Sequence, residues 1–530
     1  MSKRFVPLTV AVLFGVLSQG CEWIKNGFKV GPNYSPAPVP LANNWIDYQT
    51  PAATEPATQA ATQPATQPTA TNLATWWTVF NDPVLNSLMH DAYAQSLTLR
   101  AAGERIAAAR ANRDIAIGNL FPQTQQAAGA YTWNKSSEDT HFHNKDQWFQ
   151  DSNVGLNFGW EIDFWGRYRR SLESSDASLD ASIADYDNVM VILLSDVATN
   201  YVQYRTYQER LALAHQNVEI QRQAYELAQH NFNAGATTER DVQQARQAYE
   251  QTRALIPQFE LGIRQANNAI CVLLGIPVQD LSSRLGDAGI PAAPVEVAIG
   301  IPADLLRRRP DVREAERLAA AQSALIGVQE AALYPHFFIN GTIGVNADSF
   351  HEMFHTPGSM AGGFGPSFQW DILNYGRLEN AVTSQQAIFR EFILRFQQTV
   401  LIANQEAEDA ITSFAKSKEQ ADLESLSVAA AQRTVQITYD QYRHGAIDFT
   451  PVFIFETTLT QQQDSLAVTR GNIVLSVVNL YRSLGGGWEA RLQPEGIVGP
   501  PTTAPSIERV HTGPEGLLMP TTTKPATNPS

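Results

Sequence analysis

Cysteine is nearly absent from this chain, with only Cys21 and Cys271 among 530 residues, and that excludes a disulfide framework. Cys271 lies in the apolar stretch NNAICVLLG and reads as a small core residue. Basic charge is also scarce. Thirty-eight Lys and Arg face 53 Asp and Glu, a net charge of −15 that gives no footing to nucleic acid as a partner. Past the N-terminus, no stretch reaches the roughly 18 consecutive apolar residues of a membrane-spanning helix. If this chain crosses a membrane, it must do so with strands. Phosphate-binding loops and dinucleotide fingerprints are missing too, so no cofactor is expected and any driving energy must come from a partner.

The N-terminus points out of the cytoplasm. Lys3 and Arg4 precede a largely apolar run from Phe5 to Leu17, and small and polar residues lead to Cys21. That is the layout of a signal peptide over residues 1–20. A cysteine directly after Ser-Gln-Gly resembles a bacterial lipoprotein box with Cys21 as its acylated residue, although Ser18 stands where such boxes carry Leu. The competing reading is ordinary cleavage beside an incidental cysteine. Residues 21–75 then form a lipidated segment and a low-complexity Ala/Thr/Pro/Gln linker, and residues 490–530 a Pro/Thr/Gly-rich tail; neither composition builds a packed core.

Glycine and proline are missing from residues 167–234 and again from 377–444, which are rich in good helix formers. The match in position is no accident. A shift of 210 residues carries GLNFGWEIDFWGR onto GPSFQWDILNYGR, Gly235 onto Gly445, and Leu274-Gly275 onto Leu484-Gly485. The chain is an internal repeat, with units at 76–275 and 302–489 and a Pro-rich linker at 276–301 between them. Each long helix would reach about 100 Å at roughly 1.5 Å per residue. Gly235 and Gly445 mark sharp turns, and the chain returns along 236–274 and 446–484. Further helical segments, at about Asp91 to Asn119 and Pro310 to Ala332, make up the missing return length.

Strands fill the other end of each unit, in hairpins at 120–165 and 333–373. In VGLNFGWEIDFWGR, residues Val154, Leu156, Phe158, Trp160, Ile162 and Phe164 alternate with Gly155, Asn157, Gly159, Glu161 and Asp163. One face is greasy and the other carries carboxylates, the pattern of a membrane β-barrel with lipid outside and water inside. Glu161, Asp163 and Asp371 are then expected to face the lumen, with Trp160, Trp165 and Trp370 in an interfacial girdle. Four strands cannot close a barrel, and open edges are not tolerated in lipid. A symmetric oligomer follows from that arithmetic, but not its order.

The segments KVGPNYSPAPVP, WWTVFNDPVLNSL, WEIDFWGR, NFNAGATTERDVQQA, LLRRRPDVREAE, AALYP and LYRSLGGGWE, spread over about residues 29–489, resemble the TolC-like outer-membrane factors. The similarity is to the lipoprotein branch that serves resistance–nodulation–division efflux pumps. It implies an α+β membrane protein: a homotrimer whose four strands per chain make a shared 12-stranded β-barrel in outer-membrane lipid, continuing into a long periplasmic α-helical barrel. It also implies a periplasmic adaptor (membrane fusion) protein and an inner-membrane transporter as partners, with the turn residues Gly235, Ala236, Gly445 and Ala446 as adaptor contacts. In the family the tunnel narrows at an acidic ring in the second repeat. GAIDFTPVFIFE resembles that motif and makes Asp448 the gate carboxylate, with Pro451 and Ile454 where the family often has Asp. Copies of Asp448 brought together would repel and favour cations. The alternative for Asp448 is helix capping, which does not exclude the first.

Other readings compete. Glu161 and Asp163, about 7 Å apart on one strand face, have the spacing of a glycosidase acid pair, but Asp371 repeats the first of them, which favours a tube lining over catalysis. The HFH of residues 141–143 sits in a polar loop without further ligands and reads as an exposed loop, not a metal site. RRRPD, residues 307–311, reads as a helix boundary whose arginines pack and pair at the tunnel's equator. A type I secretion duct remains an alternative function. A helical scaffold or adhesin stalk is a further one, opposed by hairpins inserted at matching points of both repeats.

Overall fold

The computed structural model describes residues 23–38, 73–135, 137, 148–293, 307–354 and 358–492. The signal peptide, Cys21, the HFH loop, most of the low-complexity linker and all but the first residues of the tail lie outside this set.

The chain runs through helices α1 (Pro83–Gln95) and α2 (Leu97–Gly118) into strands β1 (Thr124–Lys135) and β2 (Trp148–Ile162). Helix α3 (Arg167–Asn233) follows, then α4 (Glu239–Arg253) and α5 (Leu255–Leu273). The second repeat has α6 (Pro310–Ala331), β3 (His336–Ala347), β4 (Met360–Gln369), α7 (Arg377–Arg443) and α8 (Phe449–Ser483). Helices α3 and α7 are each 67 residues long, or about 100 Å. The expected segment from Asp91 to Asn119 is in fact two helices. Ser96, with ψ 124°, breaks the ladder between α1 and α2. The first return is also split, because Pro257 has no N–H to donate and its ring crowds the carbonyl four residues back. The second return, α8, tolerates Pro451 because it falls in the first turn, where amide protons have no helical acceptor.

One antiparallel sheet joins all four strands in the order β1-β2-β3-β4. Its register sorts the side chains by face, since residues directly opposite share a side. Tyr131, Val154, Leu156, Ile343, Met360, Phe364 and Phe368 fall on one side, where they are exposed. Gln126, Asn157 and Thr342 line up on the other, together with the paired glycines Gly155 and Gly344. Close approach explains that glycine pair: a Cβ on Gly344 would stand 2.7 Å from the Gly155 Cα. Among the described residues, strands β1 and β4 each pair on one edge only.

The largest core among the described residues lies midway along the helices and gathers Leu85, Leu88 and Met89 of α1 with Leu194, Val197 and Tyr201 of α3 and Val477 and Val478 of α8. Trp76 stacks on Tyr481 with ring centroids 5.4 Å apart. Cys271 is fully buried in this core, as its apolar neighbours suggested. At the same level Pro310 opens α6, and Arg309 reaches the Ser483 carbonyl at 2.9 Å and the Glu406 carboxylate at 2.7 Å. Arg308 pairs with Glu489, so Arg308 and Arg309 are packing and pairing groups, whereas Arg307 is exposed.

Candidate functional site

Two regions carry the candidate residues: the strand–helix corner and the far turns of the long helices.

At the corner, Gly166 adopts φ 82° and turns β2 into α3. Glu161 and Asp163 are not free, solvated carboxylates, contrary to expectation. Asp163 accepts hydrogen bonds from the Tyr168 and Arg169 amides, both at 3.0 Å, and so satisfies otherwise unpaired donors at the start of α3. The Arg169 guanidinium also donates to it at 2.9 Å. Glu161 accepts from the Tyr168 hydroxyl at 2.7 Å, lies 2.7 Å from His336 Nδ1, and pairs with Arg167 at 3.4 Å. Both carboxylates have side chains only 13% exposed. Asp371 is more open but pairs with Arg377 at 3.3 Å. The repeated acid therefore has a repeated basic partner six residues on. Arg167 and Arg377 coincide under the same 210-residue shift, and that was the available signal. Trp160, Trp165 and Trp370 donate their indole N–H groups to the carbonyls of Leu120, Pro335 and Leu333, which ties all three rings to this corner.

A feature missed by sequence reasoning sits beside it. Residues 23–38 cross the corner as a strap held by consecutive arginines. Arg169 donates to the Gly27 and Phe28 carbonyls, and the fully buried Arg170 to those of Val30 and Gly31, at 2.7–2.9 Å. The strap lies so close to α6 that a Cβ on Gly327 would stand 2.7 Å from the Val30 carbonyl oxygen.

At the far end the two repeats turn in the same way. Gly235 and Gly445 have φ 74° and 72°. Their amides bond back to Phe232 and Tyr442, and those of Ala236 and Ala446 to Asn231 and Gln441, a Schellman closure in each repeat. All four turn residues are exposed. Phe449 and Val452 are fully buried beneath them with Ala224, Ala228, Val242 and Tyr442. Asp448 occupies the N-cap position of α8, but its carboxylate makes no capping hydrogen bond. Instead, Arg240 of the first repeat donates to it at 2.9 Å, and the Thr450 hydroxyl at 3.3 Å. Arg240 also contacts Asp241 at 3.3 Å. One ion pair thus links the two returning helices just above the exposed turns. Pro451 and Ile454 place no second carboxylate on the next turn.

Among the described residues no group of three His, Cys, Asp or Glu is placed to hold a metal ion. No described helix is long and apolar enough to cross a membrane.

The sequence profile of the family described as outer membrane efflux protein matches residues 88–276 and 301–486, most of both repeats. The chain belongs to that family. Nodulation protein T of Rhizobium leguminosarum bv. trifolii is 31% identical over 492 residues, covering 92% of this chain and 98% of the relative. The pyoverdine export outer membrane protein OpmQ of Pseudomonas putida is 29% identical over 424 residues, covering 78% and 88%. Among solved structures, the outer-membrane channel OprN superposes with a TM-score of 0.76 at 30% identity, over 87% of this chain and 99% of that one. The family's members are channels of the outer membrane and not enzymes, which sets aside the glycosidase reading of Glu161 and Asp163. The fold is that of these channels, a β-barrel contribution continued by long helices.

Proposed function

We propose that the chain is the exit duct of a tripartite efflux pump, a homotrimer that carries substrates passively from the periplasm to the exterior. The supporting observation is the sheet: four strands, one exposed apolar face, and two edges that pair with nothing among the described residues. In lipid those backbone groups must be satisfied, and a neighbouring copy's β4 against β1 satisfies them at every junction. Three copies give a 12-stranded barrel, within the range of known membrane barrels. Cys21 carries the lipid anchor, and the arginine-clamped strap joins that anchor to the corner of the barrel.

The periplasmic end is the gate. Arg240 and Asp448 hold α4 to α8, three Asp448 copies ring the opening, and an adaptor protein engages the exposed turns at Gly235, Ala236, Gly445 and Ala446. Movement of the helix ends breaks the pair and opens the tunnel. An inner-membrane resistance–nodulation–division transporter supplies the energy. Glu161 and Asp163 support the barrel's lower rim from within their ion pairs, and Asp371, the most exposed of the three, lines the lumen. The relative named for pyoverdine export supports small molecules as cargo.

The test is single-channel recording in planar bilayers. Small, cation-selective openings that grow in Asp448→Ala are expected. Unchanged conductance in that variant removes Asp448 from the gate, and absence of conduction in wild type and gate variants alike removes the duct.

A further inference from the structure

Deep in the packed end of the helices lies an unpaired carboxyl. Glu456 on α8 is 3% exposed, and neither of its carboxylate oxygens has a hydrogen-bond partner. It is buried within a single protomer, so its burial does not depend on the trimer. A carboxylate left this way is costly, and the group answers by keeping its proton.

The surroundings are apolar or neutral on every side. On α3, the pairs Asn217–Gln463 and Gln221–Thr460 set an antiparallel register that puts the buried Ala224 opposite Glu456. Tyr225 and Gln221 flank that position, while Arg222 is engaged by Glu219 and Glu226 at the surface. On α4 the buried residues are Asp241, Val242, Ala245, Ala248 and Thr252; Asp241, toward the turn, is paired with Arg240 at 3.3 Å, and the charged Arg246 and Glu250 are exposed. On α7 the Tyr439 hydroxyl lies within reach of the carboxyl, Val435 and Thr438 are buried on the same helix, and Arg443, a turn beyond Tyr439, is exposed. On α8 itself, Thr460 donates back to the Glu456 backbone carbonyl, not to its side chain. Burial alone pushes the Glu456 carboxyl up to about 7. The 210-residue shift matches Glu456 with the exposed Arg246, so the buried carboxyl belongs only to the repeat that carries Asp448.

We propose that Glu456 is a proton-operated latch on the helix ends: it is protonated while α8 is packed against α3, α4 and α7, and it releases its proton to water when those helices separate. The inference rests on the reading that these ends move apart when the channel opens.

The sign follows from linkage. The closed form holds the proton more tightly than the hydrated, open form, whose carboxyl titrates near the ordinary value of about 4.3. Closure is therefore fully favoured below about 4.3 and loses this contribution as pH rises through about 7. Lowering pH from about 7 to about 5 should reduce the open-to-closed ratio by at least about tenfold per coupled carboxyl.

The experiment records open probability of the full-length protein in planar bilayers across that range for wild type, Glu456→Gln and Arg240→Ala. Glutamine is neutral at every pH and nearly isosteric. E456Q is expected to stay at the low, acid-like open probability and to lose the tenfold change seen in wild type. In parallel, infrared difference spectra of the closed protein should show a protonated carboxyl band at pH 6 that vanishes in E456Q. A wild-type pH profile in E456Q, or no such band, overturns the latch. If R240A raises opening but the pH profile of E456Q is unchanged, the gate stands and the latch falls. If neither R240A nor Asp448→Ala alters conductance, the gate reading fails, and the infrared band alone decides whether Glu456 holds its proton.

Discussion

Replacing Arg240 by Ala removes an ion pair that joins α4 to α8 above the exposed turns. Its partners are 60% and 49% exposed, so solvent and salt screen it heavily. A pair of this kind contributes about 0.2–1 kcal/mol. In a trimer that opens as a unit the three copies sum to about 0.6–3 kcal/mol, which raises the open-to-closed ratio by about threefold to a hundredfold. The buried contacts below it, Phe449 against Tyr442 and Val452, are untouched, so the fold should survive. The assay is open probability in planar bilayers at low and high salt, for R240A, Asp448→Ala and the double variant. The effect of R240A should shrink as salt rises, and the double variant should show less than the sum of the single effects. If R240A leaves opening unchanged at low salt, or the two substitutions are fully additive, the pair does not hold the gate.

Three further substitutions probe the strap and its anchor. Arg170→Ala leaves the Val30 carbonyl without its donor and takes one of two from the Gly31 carbonyl, which keeps the Asn26 amide at 2.9 Å, a loss of about 1–3 kcal/mol. Thermal unfolding in detergent should show it, with faster proteolysis between residues 23 and 38; wild-type stability would mean the clamp is idle. Gly327→Ala forces a Cβ against the Val30 carbonyl and the Arg170 side chain, at a cost of about 1–3 kcal/mol, and an unchanged melting temperature would contradict the close approach. Cys21→Ala should abolish incorporation of labelled fatty acid in cells, and label retained in that variant would place the lipid elsewhere.

Much of this architecture is legible in the sequence, and the reason is geometric. Helices of 67 residues leave a plain trace, because a single internal Gly or Pro would weaken or bend them, and both repeats exclude those residues over the same span. Strand alternation in VGLNFGWEI was equally visible, since period two is the direct signature of a sheet with two unlike faces. What stayed hidden depended on partners far apart in sequence. Nothing local in Arg169 and Arg170 says that they hold carbonyls about 140 residues away. Glu161 and Asp163 looked like a water-facing pair until their partners Tyr168, Arg169 and His336 came within reach. Glu456 was harder still, because a Glu in a helix normally marks a solvent face, and only the packing of three other helices reverses that reading.

The central claim is that this chain completes its sheet with copies of itself. Its most direct test is the mass of the purified protein in mild detergent, measured by light scattering with the detergent contribution subtracted. The account predicts a stable particle of three chains that needs detergent to remain dispersed. A monodisperse monomer that stays soluble without detergent would contradict it, because the apolar face and both free edges of the β1–β4 sheet would then be at home in water.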